Sequence, residues 1–75
     1  MVGEMETTTV TLVVNGESLP IAPGKNVLDL LEQLGLDGAR VAVEADGRIV
    51  RREAWASYEL REGTRMEIVQ FVGGG

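Results

Sequence analysis

The chain has 75 residues, 12 acidic and 7 basic, with a net charge of −5. This is enough for one small domain. It contains neither cysteine nor histidine, which excludes disulfides, thiolate nucleophiles, imidazole bases and the usual zinc ligands. The acidic balance argues against a nucleic-acid binder and against docking on an anionic membrane.

Residues 1 to 6 are small or polar and carry no period, so an N-terminal extension is expected there. Met1 and Met5 are both possible starts. The segment has no basic region followed by an apolar one, unlike a signal peptide. With no cysteine, a cytoplasmic location is expected.

From Thr7 to Val14 the chain is β-branched, with Val10, Leu12 and Val14 alternating against Thr9, Thr11 and Val13. That pattern predicts a strand with one face in the core. Asn15-Gly16 is a hairpin signal, because both residues tolerate positive φ. Ser18 to Ala22 predicts a short return strand, and Pro20 confines it to a sheet edge.

Pro23 to Asn26 predicts a turn ending in a helix cap. Asn26 suits the N-cap, and Asp29 can reach back to it. Val27, Leu28, Leu30, Leu31 and Leu34 recur at helical spacing, which predicts a helix over 27–34. Gly35 suits its end, with Leu36 supplying an apolar contact. So short a helix needs a sheet to pack on.

Val41 to Ala45 predicts a third strand, Asp46-Gly47 a second hairpin turn, and Arg48 to Val50 a fourth strand. The stretch from Arg51 to Glu62 reads as irregular. Ala54, Trp55, Tyr58 and Leu60 pin it to the body, with one helical turn near Arg52 to Ala56. Glu62-Gly63 predicts the last turn, and Thr64 to Val72 the final strand. One helix over a mixed four- or five-stranded sheet is a two-layer α+β domain over 7–72. If the last strand lies centrally beside the first, the fold is a β-grasp. Periodicity leaves the strand order open.

The end of the sequence is where chemistry is expected. Gly73, Gly74 and Gly75 follow the last strand directly. Three extended residues without side chains reach roughly 10 Å, thin enough to enter a narrow channel. What such a tail delivers is the α-carboxylate of Gly75, ionised at neutral pH and a poor electrophile. Adenylation would activate it, and a sulfide equivalent or an amine could then displace AMP. The chain has no nucleotide-binding loop, so the ATP site belongs to a partner. A frayed glycine-rich end is the competing reading.

Along the final strand, Met66 and Ile68 fall on one face, and Arg65, Glu67, Val69 and Phe71 on the other. Val69, Phe71 and Val72 beside the tail are candidate docking residues. Equally, Phe71 can fold over the core edge. Trp55 and Tyr58 can serve as partner anchors, although a lone Trp in a small domain more often closes the core. Glu53, Glu59, Glu62 and Asp46 have no base at catalytic spacing, so no catalytic or metal-binding residue is assigned.

Several segments resemble the ThiS family, the ubiquitin-like β-grasp sulfur carriers of thiamine thiazole synthesis. They are Val14-Asn15-Gly16-Glu17, Val27-Leu28-Asp29-Leu30-Leu31, Val41-Ala42-Val43-Glu44, Gly47-Arg48-Ile49-Val50, and Arg52-Glu53-Ala54-Trp55. Glu62-Gly63, Met66-Glu67-Ile68-Val69 and Val72-Gly73-Gly74-Gly75 complete the set, covering roughly residues 10 to 75. Two positions depart from the family pattern: Asp46 replaces a usual Asn, and Arg51 a common Pro.

The resemblance implies that an E1-like adenylating enzyme, using Mg-ATP, activates Gly75. Sulfur from a cysteine desulfurase system would make the thiocarboxylate, which thiazole synthase would accept. The chain itself would bind no cofactor and act as a co-substrate, not a catalyst. Alternatives on the same fold are a carrier for molybdopterin or tRNA thiolation, a lysine-linked protein modifier, or a binding module without covalent chemistry. A Pro-Pro element precedes the glycines in the molybdopterin branch. Gln70-Phe71-Val72 stands there in this chain.

Overall fold

The computed structural model describes residues 8–72. Strand β1 (Val10–Val14) turns through Asn15 and Gly16, at φ 50° and 84°, into β2 (Glu17–Ile21). The two strands pair antiparallel, with Leu12 opposite Leu19. Helix α1 (Val27–Leu34) follows. Both halves of its capping box form: the Asn26 side chain accepts from the Asp29 N–H, and the Asp29 carboxylate accepts from the Asn26 N–H. Gly35 ends the helix at φ 72°, and its N–H and that of Leu36 donate to Glu32 and Leu31 carbonyls. Strands β3 (Val41–Ala45) and β4 (Arg48–Ile49) form a second hairpin around Asp46 and Gly47. A 3₁₀ helix over Arg52–Ser57 crosses to β5 (Arg65–Gln70).

The sheet order is β2-β1-β5-β3-β4. The final strand therefore lies at the centre, parallel to β1 and antiparallel to β3. This is the β-grasp order, and it puts Pro20 on an edge strand as its missing N–H requires. The core lies between the sheet and α1, where Leu12, Val27, Leu30, Val43, Leu60 and Met66 are all but inaccessible.

Besides strand ends that shift, with β1 starting at Val10, β2 ending at Ile21 and β5 ending at Gln70, three details depart from the expected pattern. Leu28 and Leu34, read as part of the helix's apolar set, are exposed at 46% and 37%. Only Val27, Leu30 and Leu31 are buried, because one sheet covers only one stripe of a two-turn helix. A 3₁₀ turn over Gly38–Arg40 joins the helix to β3, capped by Asp37, whose carboxylate accepts from the Ala39 N–H. The regular part of the fourth strand stops at Ile49, although the Val50 N–H still donates to the Val43 carbonyl.

Trp55 closes the core beneath the crossover at 3% exposure, its Nε1 donating to the Val50 carbonyl at 2.8 Å. A Cβ on Gly38 would meet its ring at 3.0 Å. Arg52 covers the same ring, with its guanidinium carbon 5.3 Å from the ring centroid.

Candidate functional site

The candidate site grows out of β5, and three local features hold that strand in place. At its start, Asp46 engages Arg65 twice: the Asp46 N–H donates to the Arg65 carbonyl at 2.7 Å, and the Asp46 carboxylate accepts from the Arg65 N–H at 3.0 Å. Further along, β1 runs out at Val14, and the Asn15 side chain continues its edge. Asn15 Oδ1 accepts from the Ile68 N–H at 2.8 Å, while Nδ2 donates to the Ile68 carbonyl at 3.2 Å. On the other edge the Phe71 N–H donates to the Arg40 carbonyl at 2.7 Å, one residue past the end of the strand. The chain therefore leaves the sheet in a fixed direction.

Period two then sorts the side chains. Met66 and Ile68 face the core, while Arg65, Glu67 and Val69 are exposed on the outer face. Val69 is 56% exposed, Phe71 53% and Val72 92%. Phe71 does not fold into the core. Val69 lies opposite Ala42, also exposed, so the apolar surface spans both central strands. Ile49 joins the same face from β4, as the partner of Glu44, and is 73% exposed. Ile49 is absent from the residues expected at a site. Its alternation with buried Val50 was the available signal.

The remaining candidates separate from this face. Trp55 is a core residue and Tyr58 is partly buried against the core. Arg51, where the family commonly has proline, is exposed. Gly73, Gly74 and Gly75 lie outside the described residues.

Among the described residues, no group of three or more Asp, Glu, His or Cys side chains could hold a metal ion. An open hollow of about 500 Å³ lies between β4 and the 3₁₀ crossover, lined in part by Ile49, Ala54 and Tyr58. It lies at the Ala45 end of β3, whereas the chain leaves the sheet at the Val41 end, beside Gln70. No helix among the described residues is long and apolar enough to cross a membrane.

Comparison with known proteins agrees with this architecture. The sequence profile of the ThiS family matches residues 6–75, through all three terminal glycines. The sulfur carrier protein ThiS of Escherichia coli is 33% identical over 64 residues, covering 85% of this chain and 97% of that protein. A thiazole synthase of Paramagnetospirillum magneticum is 41% identical over 64 residues. This chain spans only 20% of the synthase's length. The crystal structure of the thiamine biosynthesis protein ThiS from Geobacter metallireducens superposes with a TM-score of 0.76 at 33% identity, covering 88% of this chain and all of that one. The β-grasp order, the strand leading into three glycines and the match along nearly the whole length make this chain a member of the ThiS family, the sulfur carriers of thiamine biosynthesis.

Proposed function

We propose that the chain carries sulfur on Gly75 and acts as a co-substrate of its partner enzymes. The Gly75 carboxylate attacks the α-phosphate of Mg-ATP in an E1-like adenylating enzyme and displaces pyrophosphate. A persulfide from a cysteine desulfurase system then attacks the acyl carbon and releases AMP. Cleavage of the resulting acyl disulfide by a thiol leaves the thiocarboxylate. Thiazole synthase accepts that sulfur. ATP and magnesium belong to the activating enzyme, and this chain holds neither.

The observation that carries this reading is the course of β5. The central strand has Ile68 as its last buried residue and then runs out through Val69, Phe71 and Val72, all exposed, directly into the glycines. In this reading these three residues dock the partner, and Gly73 and Gly74 are the thin leash that lets Gly75 reach its active site. The similarity of this domain to one-fifth of a thiazole synthase supports that enzyme as the sulfur acceptor. Gln70-Phe71-Val72 in place of a Pro-Pro element favours the thiamine branch over molybdopterin. The synthase likeness favours a sulfur carrier over a lysine-linked modifier.

Intact-mass spectrometry tests the reading. After incubation with the host adenylating enzyme, Mg-ATP and a sulfur source, one terminal oxygen should be replaced by sulfur. Removal of Gly75 should abolish the change. An unchanged mass with an active enzyme would refute the carrier function. Adducts on lysines of other proteins would point to a modifier.

A further inference from the structure

The outer face of the sheet holds an arrangement that the isolated fold has no use for. Glu44 on β3 and Glu67 on β5 stand directly opposite each other, and both are exposed. Like charges at opposed positions weaken a ladder, and these occupy two adjacent strands of the sheet interior. Among the described residues, no cation pairs with either. The ion pairs among the described residues are Arg40–Asp37 and Arg61–Glu59, and neither involves Glu44 or Glu67. Arg65, two residues before Glu67 and on the same face, pairs with neither glutamate.

Two sides of the carboxylate pair are apolar, while Arg65 lies on the same face toward the start of β5. Ile49 lies opposite Glu44 on one side, and the Ala42–Val69 pair forms the next row toward the tail. Phe71 and Val72, both exposed, follow Val69 toward the glycines. The acidic pair is thus continuous with the docking residues proposed above.

We infer that Glu44 and Glu67 form the polar centre of the surface that docks the adenylating enzyme. They receive one arginine or lysine presented from an apolar recess of that enzyme. The inference rests on the carrier reading above. Opposed side chains in a ladder have Cβ atoms about 4.5–5.5 Å apart, so one guanidinium, with five N–H donors in a planar fork, can engage both carboxylates. A buried cation at the centre of an apolar contact selects its partner by charge and fixes its orientation. A wrong partner without that cation leaves two carboxylates desolvated and unanswered. A second copy is a poor occupant, since face-to-face pairing sets glutamates against glutamates on a chain of net charge −5.

The test uses the full chain carrying Glu44→Gln, Glu67→Gln or Glu44→Lys. Two quantities are measured: the thermal midpoint of each variant, and its affinity for the purified adenylating enzyme with Mg-ATP at low and high salt. Either Gln variant should melt roughly 2–4 °C higher, through relief of cross-strand repulsion. Each should also bind several-fold more weakly at low salt, with a smaller gap at high salt. Glu44→Lys should be stabilised further and bind worst, because it pairs with Glu67 and repels the incoming cation. Variants that bind like wild type, or that melt lower, overturn the inference. Self-association of the wild-type chain that both Gln variants strengthen would assign the face to a second copy and overturn it as well. If the wild-type chain itself fails to bind, the carrier reading falls and takes this inference with it. Wild-type binding matched by the variants removes only the inference.

Discussion

Asn15 does two jobs at once, and its replacement separates them. Its backbone sits at φ 50° in the first hairpin turn. Its side chain meanwhile bonds both the N–H and the carbonyl of Ile68, 53 residues away. Asn15→Ala removes both hydrogen bonds, each worth about 0.5–1.5 kcal/mol, and leaves a part-buried N–H without its acceptor. Alanine in the left-handed region adds about 1 kcal/mol. The expected cost is about 2–4 kcal/mol, and a loss of 3 kcal/mol lowers the midpoint of a domain this size by roughly 12–24 °C. Asn15→Gly keeps the permitted backbone and loses only the bonds, so it should cost about 1 kcal/mol less. Asn15→Asp retains the acceptor for the Ile68 N–H but sets a carboxylate against the Ile68 carbonyl, and should fall between wild type and Ala. Urea unfolding followed by the fluorescence of Trp55, the single tryptophan, gives these differences. Amide exchange at Ile68 should quicken in the Ala and Gly variants. Ala and Gly variants both within about 0.5 kcal/mol of wild type would refute the claim that Asn15 holds the end of β5.

Three further substitutions probe the core and the proposed docking surface. Trp55→Phe keeps most of the ring but orphans the Val50 carbonyl that accepts from Nε1, and should cost about 1–3 kcal/mol in urea unfolding; an unchanged midpoint would mean that water replaces the donor. Phe71→Asp removes a ring that is 53% exposed. The covered half of a 150–250 Å² side chain is worth at most about 2–3 kcal/mol, so the domain should remain folded by circular dichroism while activation by the adenylating enzyme weakens. Val72→Asp is the cleaner companion, because a residue 92% exposed contributes almost nothing to stability. Unfolding by Phe71→Asp alone, with normal activation of Val72→Asp, would return Phe71 to the core.

What the sequence disclosed, and what it did not, follows from the range of each interaction. Asn15-Gly16, Asp46-Gly47, Asn26 with Asp29, and Gly35 act within a few residues of themselves. Their roles were legible, and the structure bears out both hairpins and both helix ends. The position of β5 depends on Val13 meeting Arg65 and Ala42 meeting Val69, pairings that no local pattern encodes. Asn15 and Asp46 show the limit most sharply. The turn accounts for each residue type so completely that nothing in the sequence asks for a second role. Yet their side chains are what tie the two hairpins to opposite edges of the strand between them. The opposed Glu44 and Glu67 stayed hidden for the same reason, since each reads singly as an ordinary polar position on a half-buried strand. Only the register makes them neighbours. The proposed docking surface rests on that register: it sets Glu44 against Glu67, neither in an ion pair among the described residues, beside exposed Ile49 and Val69 and next to the strand that leads to the glycines.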